Sequence, residues 1–262
     1  MLVNPQIKAL AQKAWDEYTK QSIINAVIKG VCPILYFGDY PAYLNSKIKI
    51  VTVGLNPSGA EFSINKGKTH SVVHRFTGAS DCPPDYIAYL NSLNEYFEYN
   101  PYTSWFSAFE HILKGMGASY YRENESYRVL HTDICSPLAT EPTWSGVSSN
   151  EKHDLQKSGT KLWCELMIAL KPDIIIISVA TEYVKSLRLT KGLSKAKNIS
   201  PVTGPKQTAL SDIIAFPCED NTEIIHTSSI IIGQTVNKPF GAIGNVDKIC
   251  LGKKIMEEYR ND

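Results

Sequence analysis

Apolar positions recur along the chain with two periods. From Gln6 to Lys20, residues Ile7, Leu10, Ala11, Ala14 and Tyr18 share one helical face, which predicts an amphipathic helix. The spacing predicts further helices over Pro84–Tyr99, Ser104–Met116, Thr160–Leu170 and Asp247–Tyr259. Between them lie strand-like runs. Lys47–Val53 alternates lysine with isoleucine and then enters Gly-Leu-Asn-Pro-Ser-Gly. Tyr127–Cys135 runs into Ser136-Pro137, and the run Ile174–Val179 follows Pro172-Asp173 as a buried strand. Ile213–Phe216 and Glu223–His226 read as two further short strands. Strands alternating with helices predict an α/β fold with three αβα layers and a central, largely parallel sheet of about four strands. Ligands of such sheets bind beyond the carboxyl ends of the strands. Three loops are thereby picked out: Gly54–Phe62, Thr132–Thr140 and His226–Gly233.

With 262 residues the chain can bury one sizeable core. The expectation is a single domain, with residues 1–46 as a helical N-terminal embellishment and 47–240 as the motif-bearing core. The stretch Lys191–Thr208, rich in Lys, Ser, Gly and Pro, reads as a mobile surface loop. Composition is that of an ordinary globular protein, with 43% hydrophobic and 20% charged residues. Lys and Arg number 27 against 26 Asp and Glu, so any nucleic-acid contact must rest on local positive charge. The six cysteines are scattered without a Cys-x-x-Cys pair, which predicts free thiols, no metal site and no cofactor. The N-terminal stretch lacks the pattern of a signal peptide, and the apolar runs are too short to span a bilayer. The sequence therefore reads as a cytoplasmic monomer with no membrane partner.

The chemistry concentrates in the three loops. In Gly54-Leu55-Asn56-Pro57-Ser58-Gly59 the glycines permit close backbone approach to a ligand, and Asn56 before proline is pushed toward an extended conformation. The same residues also suit an ordinary strand-ending turn. His131-Thr132-Asp133-Ile134-Cys135-Ser136-Pro137-Leu138 follows the second strand, and Ile224-Ile225-His226-Thr227-Ser228-Ser229 ends the last. On these motifs the chain resembles the uracil-DNA glycosylase superfamily. GLNPSG is similar to the Gly-x-Asn-Pro-Gly motif of its mismatch-specific and single-strand-selective branches. DICSPL is similar to the Asn-Tyr-Cys-Pro-Leu segment of the latter, and HTSS resembles the family's His-Pro-Ser motif. The motifs stand in the family's order across residues 47–240.

The resemblance implies a monofunctional DNA glycosylase that flips a base and hydrolyses its glycosidic bond, leaving an abasic site. Asn56 would hold the attacking water, and His226 would donate a hydrogen bond to the departing base. Ser58, Gly59, Ser228 and Ser229 would pinch phosphates. Phe76 or Phe62 would stack on the flipped base. Ile230 and Ile231, with Ile232, would wedge the duplex unless they continue a buried strand. Asp133 departs from the family, because a carboxylate replaces the amide that reads uracil. An ionised Asp only accepts hydrogen bonds, so it favours the exocyclic amine of cytosine over O4 of uracil. A proton shared with cytosine N3 would complete the pairing. Since excision of normal cytosine would destroy the host genome, the substrate implied is a modified cytosine, hydroxymethylated or glucosylated as in phage DNA, with antiviral defence as the setting. The segment Ala139–Asn150, with Trp144, would line an enlarged pocket. Asp133 could instead cap a turn, with Thr132 reading the base. The rival readings are a uracil or mismatch glycosylase in base-excision repair, and a non-catalytic DNA-binding module using Lys66, Lys68, His70, His74 and Arg75.

Overall fold

The computed structural model describes residues 4–64, 69–71, 74–77, 79, 85–121, 126–185, 187, 197–203, 209–218, 221–235 and 237–261. For residues 181, 185, 210, 211, 213–218 and 221–226 it describes the backbone. The elements, in order, are α1 (Pro5–Gln21), α2 (Tyr40–Asn45), β1 (Ile50–Gly54), β2 (Ser63–Ile64), β3 (Thr69–His70), α3 (Tyr86–Asn94), α4 (Tyr96–Tyr99), α5 (Thr103–Met116), β4 (Ala118–Ser119) and β5 (Tyr127–Asp133). They continue with α6 (Ser149–Leu170), β6 (Ile174–Ser178), α7 (Thr181–Lys185), β7 (Lys197–Asn198), β8 (Ala209–Cys218), β9 (Asn221–Gly233) and α8 (Asn245–Asn261).

The seven-stranded sheet has the order β4-β5-β1-β6-β9-β8-β7. Its parallel part, β4 to β9, is five strands wide, one more than the pattern predicts. β6 pairs in parallel with β1 (Val53 with Ile177) and with β9 (Ile174 with Ser229, Ser178 with Gly233). A central strand covered on both faces is apolar at every position. Ile174, Ile175, Ile176 and Ile177 meet that demand, each 0% exposed. The flanking helices make the α/β, three-layer arrangement. No helix among the described residues is long and apolar enough to cross a membrane.

β8 and β9 correct the reading of two short strands: they form one long antiparallel hairpin, with Phe216 paired to His226. The polar triplet Thr227-Ser228-Ser229, expected in the loop His226–Gly233, lies inside β9, which continues through Ile230, Ile231 and Ile232 to Gly233. Segments 191–196 and 204–208 lie outside the described residues, and Lys197–Asn198 within the expected loop is a short strand.

The chain divides into two compact units, each of three segments: residues 1–40, 54–102 and 131–169, and residues 41–53, 103–130 and 170–262. In the first, Asn4 caps α1 by accepting from Gln6 N, with Pro5 at the first helical position. Its buried stripe is Ile7, Leu10, Ala11, Ala14 and Trp15. In the second, α5 and α8 approach at glycines: a Cβ on Gly252 would lie 2.0 Å from the Ile112 carbonyl oxygen, and one on Gly115 2.1 Å from that of Ile249. The loop after β9 is tied down by the buried Lys248, whose Nζ donates to Pro239 O at 2.9 Å, and by Phe240 N donating to Ser178 Oγ.

Candidate active site

The first unit carries Asn56 and Asp133 on adjacent loops. Ile134 N donates to Gly54 O at 3.0 Å and Cys135 N to Leu55 O at 2.8 Å, so the chain beyond β5 is zipped to the chain beyond β1. The Asn56 amide extends that seam. Its Nδ2 contacts Pro57 O (2.8 Å), Leu138 O (3.2 Å) and Thr140 Oγ1 (2.9 Å). The two carbonyls can only accept, which fixes the nitrogen inward and turns Oδ1 the other way. No donor among the described residues approaches Oδ1. The amide is thus immobilised with its oxygen open to accept a hydrogen bond.

Side chains of β5 alternate between faces. Thr132 points toward α6, where its Oγ1 accepts from Trp163 Nε1 at 3.0 Å, so Thr132 is committed to the core. Thr160 Oγ1 donates to Ile134 O, and Gly159 leaves no room for a Cβ against Cys135 O, which presses α6 onto this loop. His131 and Asp133 point to the opposite face, with His131 Nε2 3.7 Å from Asp133 Oδ1. A Cβ on Gly54 would come within 2.6 Å of Asp133 Oδ1 and 3.2 Å of His131 Nε2. Glycine at the tip of β1 is therefore what lets the pair lie across it. The Asp133 side chain is only 5% exposed, and its neighbour at ion-pair distance among the described residues is His131.

A further buried carboxyl of the first unit was missed in the sequence. Glu61, 4% exposed, accepts from Tyr96 OH at 2.5 Å and faces Arg75 Nε at 3.7 Å. Burial pushes its carboxyl up to about 7; the Asp133 charge adds to that rise, while the Tyr96 hydrogen bond and Arg75 oppose it. Arg75, expected in an exposed basic groove, turns inward and donates to the carbonyls of Ala60 and Asn100. Lys66 and Lys68 lie outside the described residues. The alternation of His131 with Asp133 was visible in the strand pattern; nothing local in the sequence marked Glu61.

Several expected roles are corrected. Phe62 and Phe76 are both 0% exposed and pack against each other at 5.5 Å, with Phe76 5.3 Å from Tyr96, so neither presents a face to a base. Trp144 is also buried. Ser58 Oγ accepts from Ala60 N as a helix cap, and Gly59 N donates to Thr140 O rather than outward. His226 lies in the second unit, three residues before Ser229, which pairs with Ile174 at the start of β6. It is therefore at the amino end of the parallel strands, seven residues before the carboxyl end of β9 at Gly233. The His226 side chain lies outside the described residues. Ser228 Oγ donates to Pro172 O and is buried. Ser229, Ile230 and Ile231 are sheet residues, the two isoleucines fully buried, so they neither pinch phosphate nor wedge a duplex.

Among the described residues no group of three or more His, Cys, Asp or Glu side chains is arranged to hold a metal ion. Cys32, Cys135, Cys164 and Cys250 are free thiols. Compared with models of known protein families and with curated proteins, the chain matches none.

Proposed function

We propose that the chain is a DNA glycosylase acting on a modified cytosine, with Asn56 and Asp133 as its working residues. One observation carries the reading: an amide clamped so that its oxygen is open, on a loop zipped to the strand end that carries a nearly buried carboxylate. The amide oxygen suits a water, and the carboxylate suits the amine and protonated N3 edge of cytosine. As the C1′–N bond breaks, its electron pair moves into the base, and the proton shared between N3 and Asp133 neutralises the developing charge. The water on Asn56 then closes on C1′ of an oxocarbenium-like sugar, which requires positioning more than basicity. That proton stabilises the leaving base. The partner is DNA, and a phage whose cytosines are hydroxymethylated or glucosylated supplies such a substrate.

The test is incubation of the purified protein with duplexes bearing uracil, cytosine, hydroxymethylcytosine or glucosylated hydroxymethylcytosine, followed by alkaline cleavage at abasic sites. The expected result is strand cleavage at a modified cytosine, lost by one to a few orders of magnitude in Asn56→Ala and Asp133→Asn. Excision of uracil alone would remove Asp133 as the base reader. DNA binding without any abasic site would leave a binding module.

A further inference from the structure

Behind Asp133 stands a second titratable side chain that has no part in that scheme. His131 lies two residues back on β5, on the same face of the strand. Phe37 holds it in three ways. His131 N donates to Phe37 O at 3.0 Å, Phe37 N donates to His131 O at 2.8 Å, and the Phe37 ring packs against the imidazole at 5.5 Å. The imidazole is set with Nε2 toward Asp133, 3.7 Å from Oδ1, and the two side chains are 2% and 5% exposed. Gly54 decides how closely they meet. A Cβ there would lie 2.6 Å from Asp133 Oδ1 and 3.2 Å from His131 Nε2, so both polar atoms converge on one point above its Cα. Any side chain at the tip of β1 would drive them apart. The Gly54 carbonyl also accepts from Ile134 N, in the seam that joins the Asp133 and Asn56 loops. At this depth water screens a carboxylate and an imidazole from each other only weakly. An imidazole is moreover the side chain suited to take up and release a proton near neutral pH.

We propose that His131 is the proton reserve of the site, a positioning residue that acts on the departing base through the Asp133 carboxylate. The inference rests on the glycosylase reading and says where the proton on cytosine N3 comes from. Asp133, at the end of β5 and the more exposed of the two, is the outer member of the relay, and His131 is the inner one. The imidazolium passes one proton to Asp133, and Asp133 passes one to N3. The C1′–N bond then breaks, its electron pair stays on the base, and the protonated base leaves neutral. Water forms the new C1′–O bond, and the proton it loses returns through Asp133 to His131. The relay ends as it began, and neither oxidation nor reduction occurs.

The test has two arms, both on the full chain. In the first, single-turnover excision from the modified-cytosine duplex and affinity for that duplex are measured for His131→Gln, Asp133→Asn and the double variant. His131→Gln keeps an N–H donor but holds no proton to give. It should bind DNA as wild type does and excise at least about tenfold more slowly. Two members of one relay fail together, so the double variant should be little slower than Asp133→Asn alone. In His131→Ala, added imidazole should restore excision, whereas pyrazole, a ring of the same size that takes a proton only in strong acid, should not. A histidine that merely filled space would be replaced by either ring. Gly54→Ala parts the pair while leaving both residues in place, and it should slow excision as His131→Gln does; this variant keeps the test open if His131→Gln does not fold. In the second arm, the His131 ring nitrogens are observed by nitrogen-15 NMR without DNA, and Asp133→Asn should move the Nε2 resonance more than that of Nδ1. Losses that add in the double variant, or rescue by pyrazole, overturn the relay and leave the glycosylase standing. An Nε2 resonance that does not move overturns the pair itself. A moved resonance with no excision from any duplex overturns the glycosylase, and the relay with it, and leaves the ion pair.

Discussion

A single carboxyl can be read through the stability of the whole chain. Glu61 is raised from 4.5 to about 7 by burial, so between those values the folded protein binds more protons than the unfolded one. Its contribution is fully present below pH 4.5 and is lost as pH rises through 7. A shift of this size corresponds to something on the order of 3 kcal/mol. Denaturant midpoints measured at pH 5 and pH 8 should therefore favour pH 5, and Glu61→Gln should flatten the difference. Equal pH dependence in both proteins would show that Glu61 is ionised throughout. The placement of Asn56 and Asp133 on neighbouring loops was legible in the sequence because each stands at a strand end followed by turn chemistry. The roles of Phe62 and Phe76 were not, since a side chain that stacks on a ligand and one that fills a core present the same apolar ring. What separates them is solvent exposure, and that depends on neighbours far along the chain, such as Phe37 and Tyr96.

Periodicity carried the reading of elements where one stripe dominates. In α5, Phe106, Phe109, Ile112, Leu113 and Met116 are buried as the spacing requires. The same reasoning failed for the first half of α6, Ser149 to Gly159, which is mostly polar. A different signal was present there: Ser148 and Glu151 bond reciprocally, Ser148 N to Glu151 Oε2 and Glu151 N to Ser148 Oγ, both at 3.4 Å. β9 failed for the opposite reason. Its Thr-Ser-Ser triplet resembles a turn, and only pairing with β8 and β6 keeps it extended. Helix contact supplies a sharper prediction. Gly252→Ala puts a methyl 2.0 Å from the Ile112 carbonyl oxygen, a backbone atom that cannot swing aside. α5 and α8 must separate, at a cost of roughly 1–3 kcal/mol, and the melting temperature should fall by several degrees. An unchanged melting temperature would mean that the two helices do not meet at these glycines.

At the scale of the whole molecule, the fold class followed from alternating strands and helices, whereas the division of the chain did not. A change of unit inside β1, between Val53 and Gly54, and inside β5, between Leu130 and His131, leaves no mark in composition. That interleaving sets the order in which the protein can be made. The last segment of the first unit ends at Ala169, so Asn56, Glu61 and Asp133 have all left the ribosome before β6 exists. At about 5–20 residues per second, residues 170–262 then require roughly 5–20 s. During that interval the apolar Ile50–Val53 segment of β1 lacks the β6 edge it pairs with. Nascent chains arrested once Ala169 has emerged should therefore be cleaved by protease at Ile50–Val53 and be held by chaperones that bind apolar segments. Arrest after Gly233 should abolish both. Protection of Ile50–Val53 in the shorter chain would mean that β1 is sheltered without β6. Biosynthesis, on this account, leaves the strand that leads to Asn56 without one of its two sheet neighbours for seconds.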